Sequence, residues 1–309
     1  VHKIFGERGR RDEAITHLNR YPFRRRVYPI ITGDVAMDVL RAAEAGEKRV
    51  KTSLDLWRSL EYVKVEEGKV RLRGMPLTLE DLVELVGDER SVYAVMDGSL
   101  RRLEVRGEHF YKLINTSRGH APTIEIDGVH MHRVKDVYPE QDSYEKLRAL
   151  GRSLRGASVL DVCTGLGYTA GLALKLGAEW VLTVEKDANV LRLAEFNPWS
   201  WDMESDQVVV CLEDAVEALA KLPDGLFDFA IHDPPRFSLA GELYSGEFYG
   251  ELFRILRGGG RLVHYVGRPS ERFRGVRIRR GVMERLRSAG FEVRWIEGPE
   301  VVLAVKRRA

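Results

Sequence analysis

The chain has 309 residues, 49 Lys+Arg against 47 Asp+Glu, a formal net charge of +2 and two cysteines. Such a balance excludes a disordered or fibrous chain, a disulfide scaffold and a cysteine-based zinc module, and the length suits two domains. No apolar run reaches the roughly 18 residues of a membrane span, and the first residues lack the apolar core of a signal peptide. A soluble cytoplasmic protein without membrane contact is expected. Arg supplies 37 of the basic residues, while Asn and Gln together number six. Dense opposite charge with few amides points to a heat-adapted source.

In chain order, residues 1–142 read as a smaller α+β domain. Asp34 to Ala45 and Thr78 to Val86 have helical spacing, each opened by a capping-type residue. Tyr62 to Leu72, Val92 to Val105 and Thr123 to Val134 alternate around Glu-Gly or Asp-Gly turns and predict hairpins. Residues 143–309 change texture. A helical stretch leads into strand-like runs at 157–162, 180–184, 207–212, 227–232, 260–266, 291–296 and 301–305, with helical patterns at 169–175 and 190–196. Strands alternating with helices predict an α/β, doubly wound, mostly parallel sheet. The last two strands, joined by Glu297-Gly298-Pro299-Glu300, should pair antiparallel.

The first of these strands runs into Asp161-Val162-Cys163-Thr164-Gly165-Leu166-Gly167-Tyr168-Thr169. Gly165 and Gly167 permit a tight turn and close approach of backbone to ligand. Glu185 closes the second strand, where a carboxylate can accept both ribose hydroxyls, with Lys186 beside it. Asp214, followed by Ala215, closes the third and can accept an adenine amino group. Asp161 would be repelled by a dinucleotide pyrophosphate but can meet the ammonium end of an amino-acid cofactor, which points to S-adenosylmethionine. Over roughly residues 143–306 the sequence resembles the class I, Rossmann-like S-adenosylmethionine-dependent methyltransferases. That resemblance implies a seven-stranded sheet ending in a hairpin, and a cofactor site at Asp161, Thr164, Gly165, Gly167, Tyr168, Thr169, Glu185, Lys186, Asp214 and Ala215. S-adenosylhomocysteine would be the product, with no metal.

After the fourth strand comes His232-Asp233-Pro234-Pro235-Arg236-Phe237-Ser238. Two prolines hold the loop extended with carbonyls exposed, so Asp233 and the Pro234 carbonyl make an acceptor pair for an exocyclic amino group. The loop resembles the Asp-Pro-Pro-aromatic signature of amino methyltransferases acting on adenine N6 or cytosine N4, except that Arg236 stands where the aromatic is usual and Phe237 follows. Asp233, Pro234 and Pro235 are the expected catalytic set, with His232, Arg236, Phe237 and Tyr244 at the base. The wider run is similar to predicted archaeal methyltransferases, some of which look like ribosomal RNA cytidine N4 methyltransferases.

Residues 1–30 carry eight Lys/Arg against three acids, and 268–287 eight Arg against two Glu. Arg274, Arg277 and Arg279 in the second stretch would neutralise phosphates of ribosomal or transfer RNA. The expected activity is thus methyl transfer to an exocyclic base nitrogen in structured RNA. Two alternatives stand beside it. One is an aminopropyltransferase using decarboxylated S-adenosylmethionine and a polyamine, with Glu213, Asp214 and Asp233 as amine acceptors. The other is a non-catalytic RNA-binding assembly factor. His130 and His132 lack a third ligand at metal spacing, and Cys163 is explained as a small buried residue.

Overall fold

The computed structural model describes residues 9, 11–267 and 272–308, with side chains at all of these except 272–276. The chain forms two compact units, each discontinuous in sequence: one from Val1–Phe23, Asp142–Ala188 and Asp202–Ala309, the other from Arg24–Gln141 and Asn189–Trp201.

The second unit is built of three antiparallel sheets and short helices. Strand β1 (Ile30–Ile31) is followed by helix α1 (Gly33–Glu44), then β2 (Arg49–Thr52), β3 (Glu61–Glu66), β4 (Lys69–Leu72) and β5 (Met75–Thr78) as a four-stranded meander. Thr78 opens the short helix α2 (Leu79–Val83) with a reciprocal capping box to Asp81. Strands β6 (Tyr93–Met96) and β7 (Ser99–Arg102) form a sheet with β1, while β8 (Glu104–Arg106), β9 (Phe110–Ile114), β10 (Thr123–Ile126) and β11 (Val129–His130) form another. The Asp-Gly hairpins arise where the sequence places them. Asp97 and Gly98 have φ of 51° and 72°, and Asp127 and Gly128 have 48° and 82°, the double positive φ of a tight primed turn. Val35, Ala36 and Val39 of α1 pack with Leu54, Val63, Val70, Leu72 and Leu77 into this unit's core.

The first unit is a doubly wound seven-stranded sheet. Helix α3 (Pro139–Ala149) precedes β12 (Ser158–Val162), α4 (Tyr168–Lys175), β13 (Trp180–Glu185), α5 (Ala188–Phe196), which from Asn189 on belongs to the other unit, β14 (Val208–Leu212), α6 (Ala215–Ala220), β15 (Phe227–His232), α7 (Gly246–Ile255), β16 (Leu256–Tyr265), α8 (Arg272–Ser288), β17 (Glu292–Ile296) and β18 (Val301–Val305). Strand order is β14-β13-β12-β15-β16-β18-β17. Neighbours from β14 through β16 run parallel, and β18 inserts antiparallel between β16 and β17. Strand β12 is buried at all five positions, as a central strand covered on both faces must be. The switch in strand order at β12 and β15 opens a crevice at their carboxyl ends, the usual ligand position in such sheets.

The outer edge of β14 is covered. The backbone of Leu212 donates to the Asn19 carbonyl and that of Tyr21 to the Val210 carbonyl, both at 2.8 Å, while Ala14, Ile15 and Leu18 join the core of this unit. This segment satisfies an edge that would otherwise be open to pairing. Among the described residues no helix is long and apolar enough to cross a membrane.

Candidate active site

The glycine loop leaves β12 through backbone that side chains tolerate poorly. Cys163, Gly165 and Gly167 all have positive φ, at 70°, 52° and 75°. Gly167 is the N-cap of α4, and a Cβ there would overlap the side chain of Met203, itself 1% exposed. Tyr168 and Thr169 begin the helix and are buried. Thr164 shares a 2.6 Å hydrogen bond with the Thr183 hydroxyl, tying the loop to β13.

Asp161 lies beneath this loop and is 1% exposed. Its Oδ2 accepts from Thr183 Oγ1 at 2.7 Å, and its Oδ1 is buried without a partner among the described residues. Burial pushes its carboxyl up to about 7; the Thr183 hydrogen bond and Lys146 oppose this, while Asp233 and Glu185 add to it. A buried oxygen without a donor costs free energy until one arrives, and an ammonium group would supply it.

Glu185 is oriented by backbone amides: Oε2 accepts from Gly165, and Oε1 from Lys186 and Asp187, all at 3.0 Å. Burial raises its carboxyl against those hydrogen bonds. Lys186 itself is exposed. Asp214 caps α6, its Oδ1 accepting from Val216 at 2.8 Å, with Ala215 buried behind it. Glu213 is engaged elsewhere, in an ion pair with Lys221 and a hydrogen bond from the Asn19 amide. Asp161, Glu185 and Asp214 thus stand at the carboxyl ends of adjacent strands β12, β13 and β14.

The Asp-Pro-Pro loop follows β15, next to β12, and the Asp233 amide donates to the Val162 carbonyl at 3.3 Å. Asp233 does not present a free carboxylate. Its Oδ2 accepts from Lys146 Nζ at 2.6 Å, and Lys146 also contacts Asp142 Oδ2 at 2.7 Å and lies 4.2 Å over the Tyr265 ring. Lys146 is 3% exposed. Burial works against its charge, but Asp233 and Asp142 outweigh it and hold the ammonium above the ordinary lysine range. Sequence reasoning missed both Lys146 and Asp142. The one signal was their spacing of four on a helix leading into β12.

Pro234 is buried, and the Pro235 carbonyl is occupied, accepting from the Tyr244 hydroxyl at 2.9 Å. His232, expected at the substrate, is fully buried. Its Nε2 pairs with the Leu243 carbonyl at 2.8 Å, and its ring lies 4.4 Å from that of His264. Burial lowers it to about 4, so it supports the loop as a neutral imidazole. Phe237 is 47% exposed and meets Tyr244 edge-on at 5.3 Å, and Arg236 is exposed beside it. Burial raises the Tyr244 phenol above its ordinary value. Arg277 is exposed on α8, and Arg279 packs 4.8 Å over Trp295; the side chain of Arg274 lies outside the described residues. Cys163 is held protonated by burial and by Glu185, Asp233 and Asp161, which removes it as a nucleophile. In the other unit His130 contacts Glu125, and His132 bonds Thr123.

No protein-family model matches the chain. An uncharacterized protein of Methanocaldococcus jannaschii, MJ1233, is 44% identical over 263 residues, 85% of this chain and 86% of that one. The polyamine aminopropyltransferase of Mycobacterium tuberculosis is 31% identical over 173 residues, 53% of this chain and 32% of that enzyme. Among solved structures, a spermidine synthase in complex with the transition-state analogue AdoDATO superposes with a TM-score of 0.52 at 16% identity, covering 67% of this chain and 73% of that one. The spermidine synthase of Thermotoga maritima gives 0.50 at 15% identity, covering 67% and 72%. These structures share the fold.

The expectation of methyl transfer to an exocyclic base nitrogen in RNA is overturned by these relatives, which favour the aminopropyl alternative. The resemblance to ribosomal RNA cytidine N4 methyltransferases draws no support from them either. The site gives a physical reason. Asp142, Asp161, Glu185 and Asp233 bring four carboxyl groups to the site against one buried lysine, a lining that suits a cation better than a polyanion.

Proposed function

This chain belongs to the family of the Methanocaldococcus jannaschii protein MJ1233, and from its own site we propose that it transfers an aminopropyl group from decarboxylated S-adenosylmethionine to an amine nitrogen of a polyamine. The observation that carries this reading is Asp161 Oδ1, a buried carboxyl oxygen without a donor among the described residues, in the field of Asp233 and Glu185 that Lys146 only partly offsets. An aminopropyl ammonium satisfies that oxygen. The α-carboxylate of ordinary S-adenosylmethionine would bring one more negative charge into the cluster.

In this arrangement Glu185 accepts the ribose hydroxyls and Asp214 the adenine amino group, while the glycine loop approaches the nucleoside. Asp161 holds the primary ammonium and so fixes the propyl chain. The acceptor amine binds at Asp233 with its lone pair on the methylene carbon attached to sulfur. The new C–N bond forms as the C–S bond breaks. The bonding pair goes to sulfur, and methylthioadenosine leaves as a neutral thioether. The proton lost from the amine passes by way of Asp233 to water. Alignment supplies most of the acceleration, because the sulfonium is already a good leaving group.

The test is incubation of the protein with decarboxylated S-adenosylmethionine and a series of diamines and triamines, read by mass spectrometry. One methylthioadenosine per lengthened polyamine is expected. Absence of methylthioadenosine with every amine, alongside S-adenosylhomocysteine formation from ordinary S-adenosylmethionine, would refute the reading.

A further inference from the structure

We propose that Lys146 is a positioning residue of this reaction: its buried ammonium clamps one oxygen of Asp233 beside Asp142 and leaves the other oxygen for the acceptor amine. The inference rests on the aminopropyl-transfer reading and adds a residue to it.

The geometry is that of a shared cation. Lys146 Nζ lies 2.6 Å from Asp233 Oδ2 and 2.7 Å from Asp142 Oδ2, so the two carboxylates share one charge. Asp142 and Lys146 are four apart on α3, and their side chains are 2% and 4% exposed. Asp233 keeps 23% exposure, and its Oδ1 has no hydrogen bond among the described residues. One oxygen is therefore structural and the other available. The Tyr265 ring, 4.2 Å from Nζ, closes a further side of the ammonium.

Without its lysine, Asp233 would have like-charged neighbours and no cation bonded to it. Asp142 shares its lysine from α3, Asp161 interacts with it from β12, and Cys163 and Tyr244 feel its charge as well. Without Lys146 the like charges of Asp142 and Asp233 would repel, and Asp233 would lose the partner that fixes the direction of its free oxygen. Lys146 also keeps the carboxylate from turning toward the donor's ammonium, which belongs to Asp161.

The pH profile of kcat/KM for methylthioadenosine release tests this with two variants of opposite sign. Lys146→Gln leaves Asp142 and Asp233 as facing like charges, so its acid limb should move up by about 1–3 pH units. Asp142→Asn removes one negative neighbour and gives the lysine wholly to Asp233, so its acid limb should move down. A merely structural role would lower stability in both without moving the limbs apart. Should Lys146→Gln fail to fold by circular dichroism, Asp142→Asn carries the test alone. Limbs that stay put, or move in the same direction, overturn the clamp while wild-type release preserves the parent reading. A wild type that releases no methylthioadenosine overturns both.

Discussion

Without ligand, Asp161 keeps its proton up to about pH 7, because burial penalises the charged form more than Thr183 and Lys146 relieve it. An ammonium on Oδ1 reverses that balance and draws the carboxyl back toward its ordinary range. Binding then releases a proton below pH 7. Affinity for decarboxylated S-adenosylmethionine should fall about tenfold per pH unit as pH drops from 7, and level off above it. For folding of the empty protein the sign is opposite: with the folded value raised above 3.8, this group's stabilising contribution is full below 3.8 and is lost as pH rises to about 7. Asp161→Asn should flatten the binding profile and weaken affinity about 10- to 100-fold, measured by calorimetry, in keeping with loss of a charged hydrogen bond. Asp161 was legible because a carboxylate just before a glycine loop is a local signal. Lys146 was not, since its burial depends on Asp233, which lies 87 residues away.

Loops and caps decide the next level. Gly167 combines a φ of 75° with the buried Met203 side chain at the place a Cβ would occupy. Gly167→Ala should therefore cost about 1–3 kcal/mol. Gly246, the first residue of α7, has open space around its Cα, so Gly246→Ala should leave stability unchanged or raise it by up to about 1 kcal/mol. Thermal unfolding of the two variants against the wild type checks the contrast; equal shifts would show that the glycine loop is not conformationally selected. Elements of this kind were readable in advance where pattern and punctuation agreed, as at β3–β4, β6–β7 and β10–β11 with their Gly-containing turns. Strands β2, β5 and β9 escaped notice: at four or five residues, with mixed burial, they owe their form to neighbours in the sheet more than to their own alternation. Helix α7 was missed as well, although Ser245 caps it through the Phe248 amide.

At the scale of the whole chain, texture along the sequence distinguishes two regions but not the exchange of segments between compact units. Residues 11–23 sit with the parallel sheet, where Ile15 and Leu18 are buried and Asn19 and Tyr21 pair with β14. Residues 189–201 sit with the antiparallel unit, where the Trp199 indole donates to the Leu56 carbonyl and Phe196 stacks on Tyr28. A fragment cut at residue 143 therefore loses the cover of β14 and keeps a segment whose apolar partners are gone. It should melt well below the full chain and bind a hydrophobic dye such as ANS; a fragment as stable as the full chain would contradict the division. The same exchange has a consequence for synthesis on the ribosome. Ile15 and Leu18 emerge roughly 190 residues before the β14 they cover, a wait of about 10–40 s at ordinary elongation rates. The antiparallel unit needs residues 189–201 and so can be completed only at the end of that interval. Slowing or speeding translation between those points is therefore a handle on yield that leaves every native contact intact.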